Sequence, residues 1–259
     1  MGAHWECRCE RAGGAVKTAN DCPRCPRLRK DISVKSKPAF CCCRRNASRS
    51  RPDAARWCGR FLVSCLGEAD AIFHRLYAQM RELNWLGAET MVVVVGDGAE
   101  WIWNRATWFV RRCEILDFWH AVEHAWGFAR LRYGDGSTQA DLWVQAIAED
   151  LRAGQVKGVI ARLKRLRPNT AELRQNLAGL IRYYSENASR MQYDEYLRLG
   201  YGVGSGAVES AHKQVIHARM RQAGMRWSEA GARRLLALRL LLLNDQWTLL
   251  DRLRMPSLA

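Results

Sequence analysis

The chain has 259 residues, enough for one large core or two small ones. Its 41 Lys and Arg outnumber 26 Asp and Glu, giving a formal net charge of +15; an excess of that size favours a polyanion such as nucleic acid, although ribosomal and membrane-surface proteins share it. No apolar run reaches the roughly 18 residues of a membrane-spanning helix, and the N-terminus lacks the apolar stretch of a signal peptide, so a soluble, cytoplasmic protein is expected.

Residues 1–68 are rich in Arg, Cys, Ser and Pro and show no apolar periodicity long enough for a buried strand or a long helix. The segment reads as an irregular, disordered basic stretch. All cysteines except Cys113 lie between Cys7 and Cys65, and without a secretory signal disulfides are not expected. Cys22 and Cys25 form a C-x-x-C pair, but a structural zinc site needs four ligands and a second well-spaced pair. Cys7 and Cys9 stand too close together for that, and Cys41, Cys42 and Cys43 form an unbroken triplet. Zinc at Cys22 and Cys25 is therefore not expected.

From residue 69 the composition becomes that of a globular domain. Ile72, Phe73, Leu76, Tyr77, Met80 and Leu83 recur at helical spacing and predict a helix over 70–86. Residues 91–95 form a continuous, mostly β-branched apolar run, the pattern of a central strand covered on both faces. Gly96-Asp97-Gly98 ends it, a Trp-rich helix follows over 99–109, a short strand over 114–117 and a helix over 119–131. Beyond the turn residues 134–137 the pattern is helical: 139–153, 156–166, 170–186 and 188–198, with Pro168 separating two of these. A glycine-rich loop, 200–206, opens a helix to about 222 that Ser205 is placed to cap, and a last helix runs over 228–243.

Two carboxylates stand out. Asp97 follows a strand, and Glu209 lies at the start of a helix after the glycine loop, where the helix dipole favours negative charge. Carboxylates are hard oxygen ligands suited to Mg²⁺ or Mn²⁺, which assist in-line phosphoryl transfer, and flanking glycines let a phosphate backbone approach. Lys213, four residues after Glu209, shares its helix face and is placed to contact a phosphate or to neutralise Glu209. His120, Glu123 and His124 give the order H-x-x-E-H, that of an inverted gluzincin, but no third ligand accompanies it and the +15 charge is foreign to a protease. Arg219, Arg221 and Arg226, interleaved with Met225 and Trp227, read equally well as a DNA-binding patch or as a solvated face with Trp227 as packing anchor.

These pieces, in this order, resemble bacterial insertion-sequence transposases of the DDE class, in the Kra-type group related to Mutator-like elements. The segments that carry the resemblance are VVVVGDGAEWIW (92–103), ILDFWHAVEHAW (115–126), YYSENASRMQYDEY (183–196), GVGSGAVESAHK (202–213) and GMRW (224–227). It implies an α/β, mostly helical fold, with an RNase H-like core over 69–259 interrupted by an all-helical insertion at 138–198. It also implies Asp97 and Glu209 as catalytic acids binding Mg²⁺ or Mn²⁺, with Asp117, His120 and His124 as an auxiliary motif organising the site. Element ends and target DNA would be the partners, with nucleoid association and a possible homo-oligomer. The family's first Asp, on the first strand of the core, has no counterpart: Asp31, Asp53 and Asp70 all lack an apolar run before them. A shifted reading frame or a truncated copy would explain residues 1–68. The core is then incomplete, cleavage is impaired, and a non-enzymatic DNA-binding remnant is the alternative. A sheet lacking its first strands would also expose an unpaired edge around Val92–Val95 and favour self-association.

Overall fold

The computed structural model describes residues 39–41, 60–67 and 69–254. Two short strands, β1 (Ala39–Cys41) and β2 (Arg60–Leu62), pair antiparallel, with Ala39 opposite Leu62. Helix α1 (Ala69–Glu82) follows and stops near Asn84, whose φ of 54° ends the helical path. Strand β3 (Val92–Gly96), α2 (Glu100–Ala106) and β4 (Arg112–Leu116) then form a strand–helix–strand unit whose strands pair in parallel, Val92 opposite Arg112 through Gly96 opposite Leu116.

Only Asp117 separates the end of β4 from helix α3 (Phe118–Tyr133). Four helices come next: α4 (Thr138–Arg152), α5 (Val156–Arg165), α6 (Ala171–Asn187) and, after a 3₁₀ turn at Ala188–Arg190, α7 (Tyr193–Arg198). They build on α3, and the buried Tyr184 hydroxyl of α6 donates to the Ala121 carbonyl of α3 at 2.8 Å. The chain is α/β and mostly helical, and among the described residues the parallel sheet has only these two strands. Val92 and Val94 are buried while Val93 and Val95 are half-buried, so one face of β3 is sealed by the core and the other only partly, in place of the two covered faces expected.

The expected single helix over 206–222 is a composite: α8 (Gly206–His212), a π-helical turn at Lys213–His217 and the short α9 (Ala218–Met220). Burial gives the reason. Ala211 and Val215 face the core four residues apart, and so do Ile216 and Met220. The two pairs are displaced by one residue, which a regular α-helix cannot present on one stripe and a wider π turn can. Helix α10 (Glu229–Leu243) is capped by Ser228, whose hydroxyl accepts from Gly231 N, and α11 (Thr248–Arg254) ends the described chain.

Ala211, Val215, Ile216, Met220, Ala232 and Leu236 form a second, smaller core with Leu62 and Leu66. Asn244 fastens β2 to it through both backbone groups of Leu62, at 2.8 and 2.9 Å. The irregular segment expected through residue 68 therefore ends sooner: Leu62, Val63, Cys65 and Leu66 are all buried. The short apolar run Phe-Leu-Val-Ser-Cys-Leu at 61–66 is hidden by the Arg- and Cys-rich composition around it. Cys22, Cys25, Asp31 and Asp53 lie outside the described residues. No described helix is long and apolar enough to cross a membrane.

The α3–α6 contact gives a direct test. Tyr184→Phe keeps the ring and leaves the Ala121 carbonyl without this donor, so chemical denaturation is expected to show a loss of about 1–2 kcal/mol.

Candidate functional site

The strand ends meet at one backbone hydrogen bond: Asp117 N, just after β4, donates to Gly96 O at the end of β3, at 2.7 Å. Asp97 follows directly. Its Oδ1 accepts from Ala99 N at 3.2 Å, and its carbonyl accepts from the Tyr183 hydroxyl at 2.9 Å. Gly98 must be glycine here. Its φ is +96°, and a Cβ would stand 2.9 Å from the Tyr183 ring.

Asp117 is only 2% exposed, and each of its carboxylate oxygens accepts from a backbone N–H. Oδ1 accepts from His120 N at 2.9 Å and caps α3; Oδ2 accepts from Ser205 N at 2.6 Å. Phe118 N also donates to Val203 O at 2.9 Å. The glycine loop is thus fastened to the strand end at two successive residues. Burying a carboxylate is costly unless its charge is met, and two amides plus the positive end of the 16-residue α3 meet it.

The loop delivers Glu209 in the first turn of α8, exposed, with Ser205 Oγ donating to its Oε1 at 3.4 Å. Ser205 holds the N-cap position as expected but makes no side-chain cap. Its backbone, at φ −86° and ψ 13°, departs from the extended cap conformation, and the hydroxyl turns to Glu209. Lys213 is exposed and starts the π turn, its N–H donating to Glu209 O.

On α3, His120 Nδ1 lies 3.2 Å from Glu123 Oε2, and the His120 and His124 rings are 5.1 Å apart. His124 stacks on Tyr183 at 3.9 Å. Burial holds the His124 pKa below its ordinary value, His120 adds to that, and Glu123 opposes it. Burial likewise raises the Tyr183 pKa well above the ordinary phenol value, with the charges of Asp97, Asp117 and Glu123 acting the same way. The hydroxyl therefore stays protonated and able to donate to Asp97 O. These side chains border an open groove of about 920 Å³ between α3 and α6, where Gly127 and Gly179 leave room.

Asp97, Asp117 and Glu209 are thus linked through Gly96 and Ser205, while His120 and His124 approach from Tyr183. Among the described residues no three His, Cys, Asp or Glu side chains are arranged to hold a metal ion. Within the H-x-x-E-H run, His120 faces Glu123, His124 stacks on Tyr183, and the two imidazole rings meet edge to face. Arg219, Arg221 and Arg226 are all exposed, and Arg221 reaches His217 Nε2 at 3.3 Å. Trp227 is half-buried in the smaller core, with its Nε1 donating to Met220 O at 3.1 Å. Trp227 is thus a packing anchor, and the three guanidinium groups face solvent.

Sequence reasoning assigns no role to Tyr183, to the Ser205 amide or to Glu114. Tyr183 lies 86 residues from Asp97 in sequence, and no spacing rule connects them. Glu114 holds Arg112 and Arg190, each by its Nε at 2.8 Å, beside an opening of about 440 Å³. Burial alone would raise its pKa, but the hydrogen bonds from Arg112 and Arg190 outweigh that and the net displacement is downward. No protein-family model, no curated protein and no solved structure matches the chain.

Replacing Asp117 with Asn exchanges one acceptor for an amide that faces an N–H donor. Denaturation should show a loss of about 1.5–3 kcal/mol, with faster hydrogen exchange at the Ser205 or His120 amide. Glu114 has a folded pKa below its ordinary 4.5, so its stabilisation is present above that value and lost as pH falls through the lower folded value. The acid limb of a stability–pH curve below pH 4.5 is expected to be shallower in Glu114→Gln than in the wild type.

Proposed function

We propose that the chain is an insertion-sequence DNA transposase by descent, retaining DNA binding with impaired strand cleavage and transfer. The observation that carries this reading is the double fastening of the glycine loop to Asp117, which ties the helix bearing Glu209 to the strand ends beside Asp97. In this reading β3–α2–β4 is the retained part of an RNase H-like core, and α4–α7 are the insertion between its acids. The domain spans 69–259, and Asp117, His120 and His124 organise the site. The charge of +15 and the exposed Arg219, Arg221 and Arg226 supply phosphate contacts. The one-sided pairing of β3 among the described residues supports a homo-oligomer.

For Mg²⁺ or Mn²⁺ the donor set fits in kind and falls short in number. Asp97 and Glu209 are hard oxygen ligands, but Asp117 is 2% exposed with a backbone amide on each oxygen, and among the described residues it is not grouped with them around an ion position. Two carboxylates alone would hold such an ion loosely, and that favours the non-cutting, DNA-binding form of the protein.

The test combines binding and cleavage. Wild type, Asp97→Ala and Glu209→Ala are expected to bind DNA alike, with affinity falling steeply with salt, and none is expected to nick plasmid in Mn²⁺. Robust wild-type nicking that disappears in both variants would show a complete acid set, whereas absence of salt-sensitive binding would refute the DNA reading. Replacing Arg219, Arg221 and Arg226 together with Ala should flatten the log K against log salt slope by about 1 for each phosphate that is no longer neutralised.

A further inference from the structure

Trp119 is the most exposed aromatic side chain among the described residues, at 62%. Neither the capping of α3 nor the core explains it, since the adjacent Phe118 already fills the buried position at 2%. The indole stands where the strand end meets the glycine loop: an atom added to Gly204 would lie 3.1 Å from its Cδ1, and Gly204 precedes the Ser205 that touches both Asp117 and Glu209. The lack of a side chain at Gly204 lets the loop lie close against the indole's pyrrole edge, and the rest of the ring is left outward. Phe118 steadies it, ring centroids 5.2 Å apart and nearly perpendicular. Against the same phenyl ring lies the exposed Arg152, its guanidinium carbon 4.9 Å from the centroid.

We infer that Trp119 and Arg152 form a binding site for a single-stranded DNA segment, the indole stacking on an unpaired base and the guanidinium contacting its backbone phosphate. The inference rests on the DNA-binding reading above and adds a structural preference to it. An exposed aromatic plane next to an exposed cation is the pairing that single-strand sites use, because every base offers a π face and every nucleotide a phosphate. A solvent-facing apolar ring on an otherwise basic chain matches a nucleotide better than a neutral apolar ligand, which would bring no counter-charge to Arg152. Its place against the loop whose Ser205 contacts both Asp117 and Glu209 puts an unpaired strand end at the candidate site.

The experiment compares a blunt duplex with the same duplex carrying a single-stranded thymidine extension that contains 2-aminopurine. Wild type is expected to bind the extended duplex more tightly and to quench the 2-aminopurine. Trp119→Leu should lose roughly 5- to 150-fold on the extended duplex, with blunt-duplex affinity and melting temperature unchanged; Trp119→Phe should restore most of the loss. Arg152→Ala should lower the salt dependence on the extended duplex alone. Equal affinity of the wild type for both duplexes, or no effect of Trp119→Leu, overturns the inference while the DNA-binding reading stands. Failure of the wild type to bind either duplex overturns both. A shift of Trp119→Leu to a smaller oligomer, with no change on extended DNA, assigns the indole to a second copy of the chain instead and overturns the inference as well.

Discussion

The buried carboxylate of Asp117 joins three parts of the chain that are otherwise far apart in sequence. Its backbone N–H closes the end of the parallel strand pair, one oxygen starts α3, and the other holds a loop 88 residues downstream. A polar group buried to this degree has to be met by hydrogen-bond partners, and each oxygen is met by one amide. Each donor is a backbone amide, so side-chain changes in the loop leave the anchor intact unless they alter its path. The strand end, α3 and the loop are thus held together by an acid that is itself buried. Asp97, whose Oδ1 accepts from the nearby Ala99 amide at 3.2 Å, and the exposed Glu209 are the two acids on the outer side of this anchor.

Much of this is legible in the sequence. The Val92–Val95 run reads as a strand because consecutive β-branched residues suit a pleated surface, and Gly-Asp-Gly marks its end. Helices α4, α5, α6 and α10 fall within a residue or two of the ranges expected from periodicity. What periodicity cannot give are the breaks in register. The π turn at Lys213–His217 exists because the buried stripe slips by one residue between Val215 and Ile216, and a pattern that assumes a single period smooths over such a slip. The 3₁₀ turn at Ala188–Arg190 escapes periodicity for the same reason. The burial of residues 62–66 is hidden differently: its partners, Ala211 to Leu236, lie about 150 residues later, and only the tertiary fold brings them together.

The candidate site is half legible. Its carboxylates announce themselves through their glycine neighbours, whereas the groups that position them do not. Tyr183 is one tyrosine among seven, and its role as donor to Asp97 O and as stacking partner of His124 depends on how α6 lies across α3. That packing also explains why Gly98 cannot carry a side chain, since the space a Cβ would take belongs to Tyr183. Helix α6 is therefore structurally part of the candidate site.

The same coupling constrains how charge is used. Glu114, within β4, commits its carboxylate to Arg112 and Arg190, and Arg190 in turn lies 4.5 Å over the Trp103 ring. Those two arginines are thereby held by the sheet and its neighbours, and their charge is partly cancelled. Arg219, Arg221 and Arg226 instead stand outward, on the segment that follows the π turn. Ile216 and Met220 are buried on this segment while Arg219 and Arg221, on either side of Met220, are exposed, so its buried stripe leaves those two side chains to solvent. The apolar register of the smaller core thus bears on how this one arginine-bearing segment is presented, although no core residue of that cluster is itself charged.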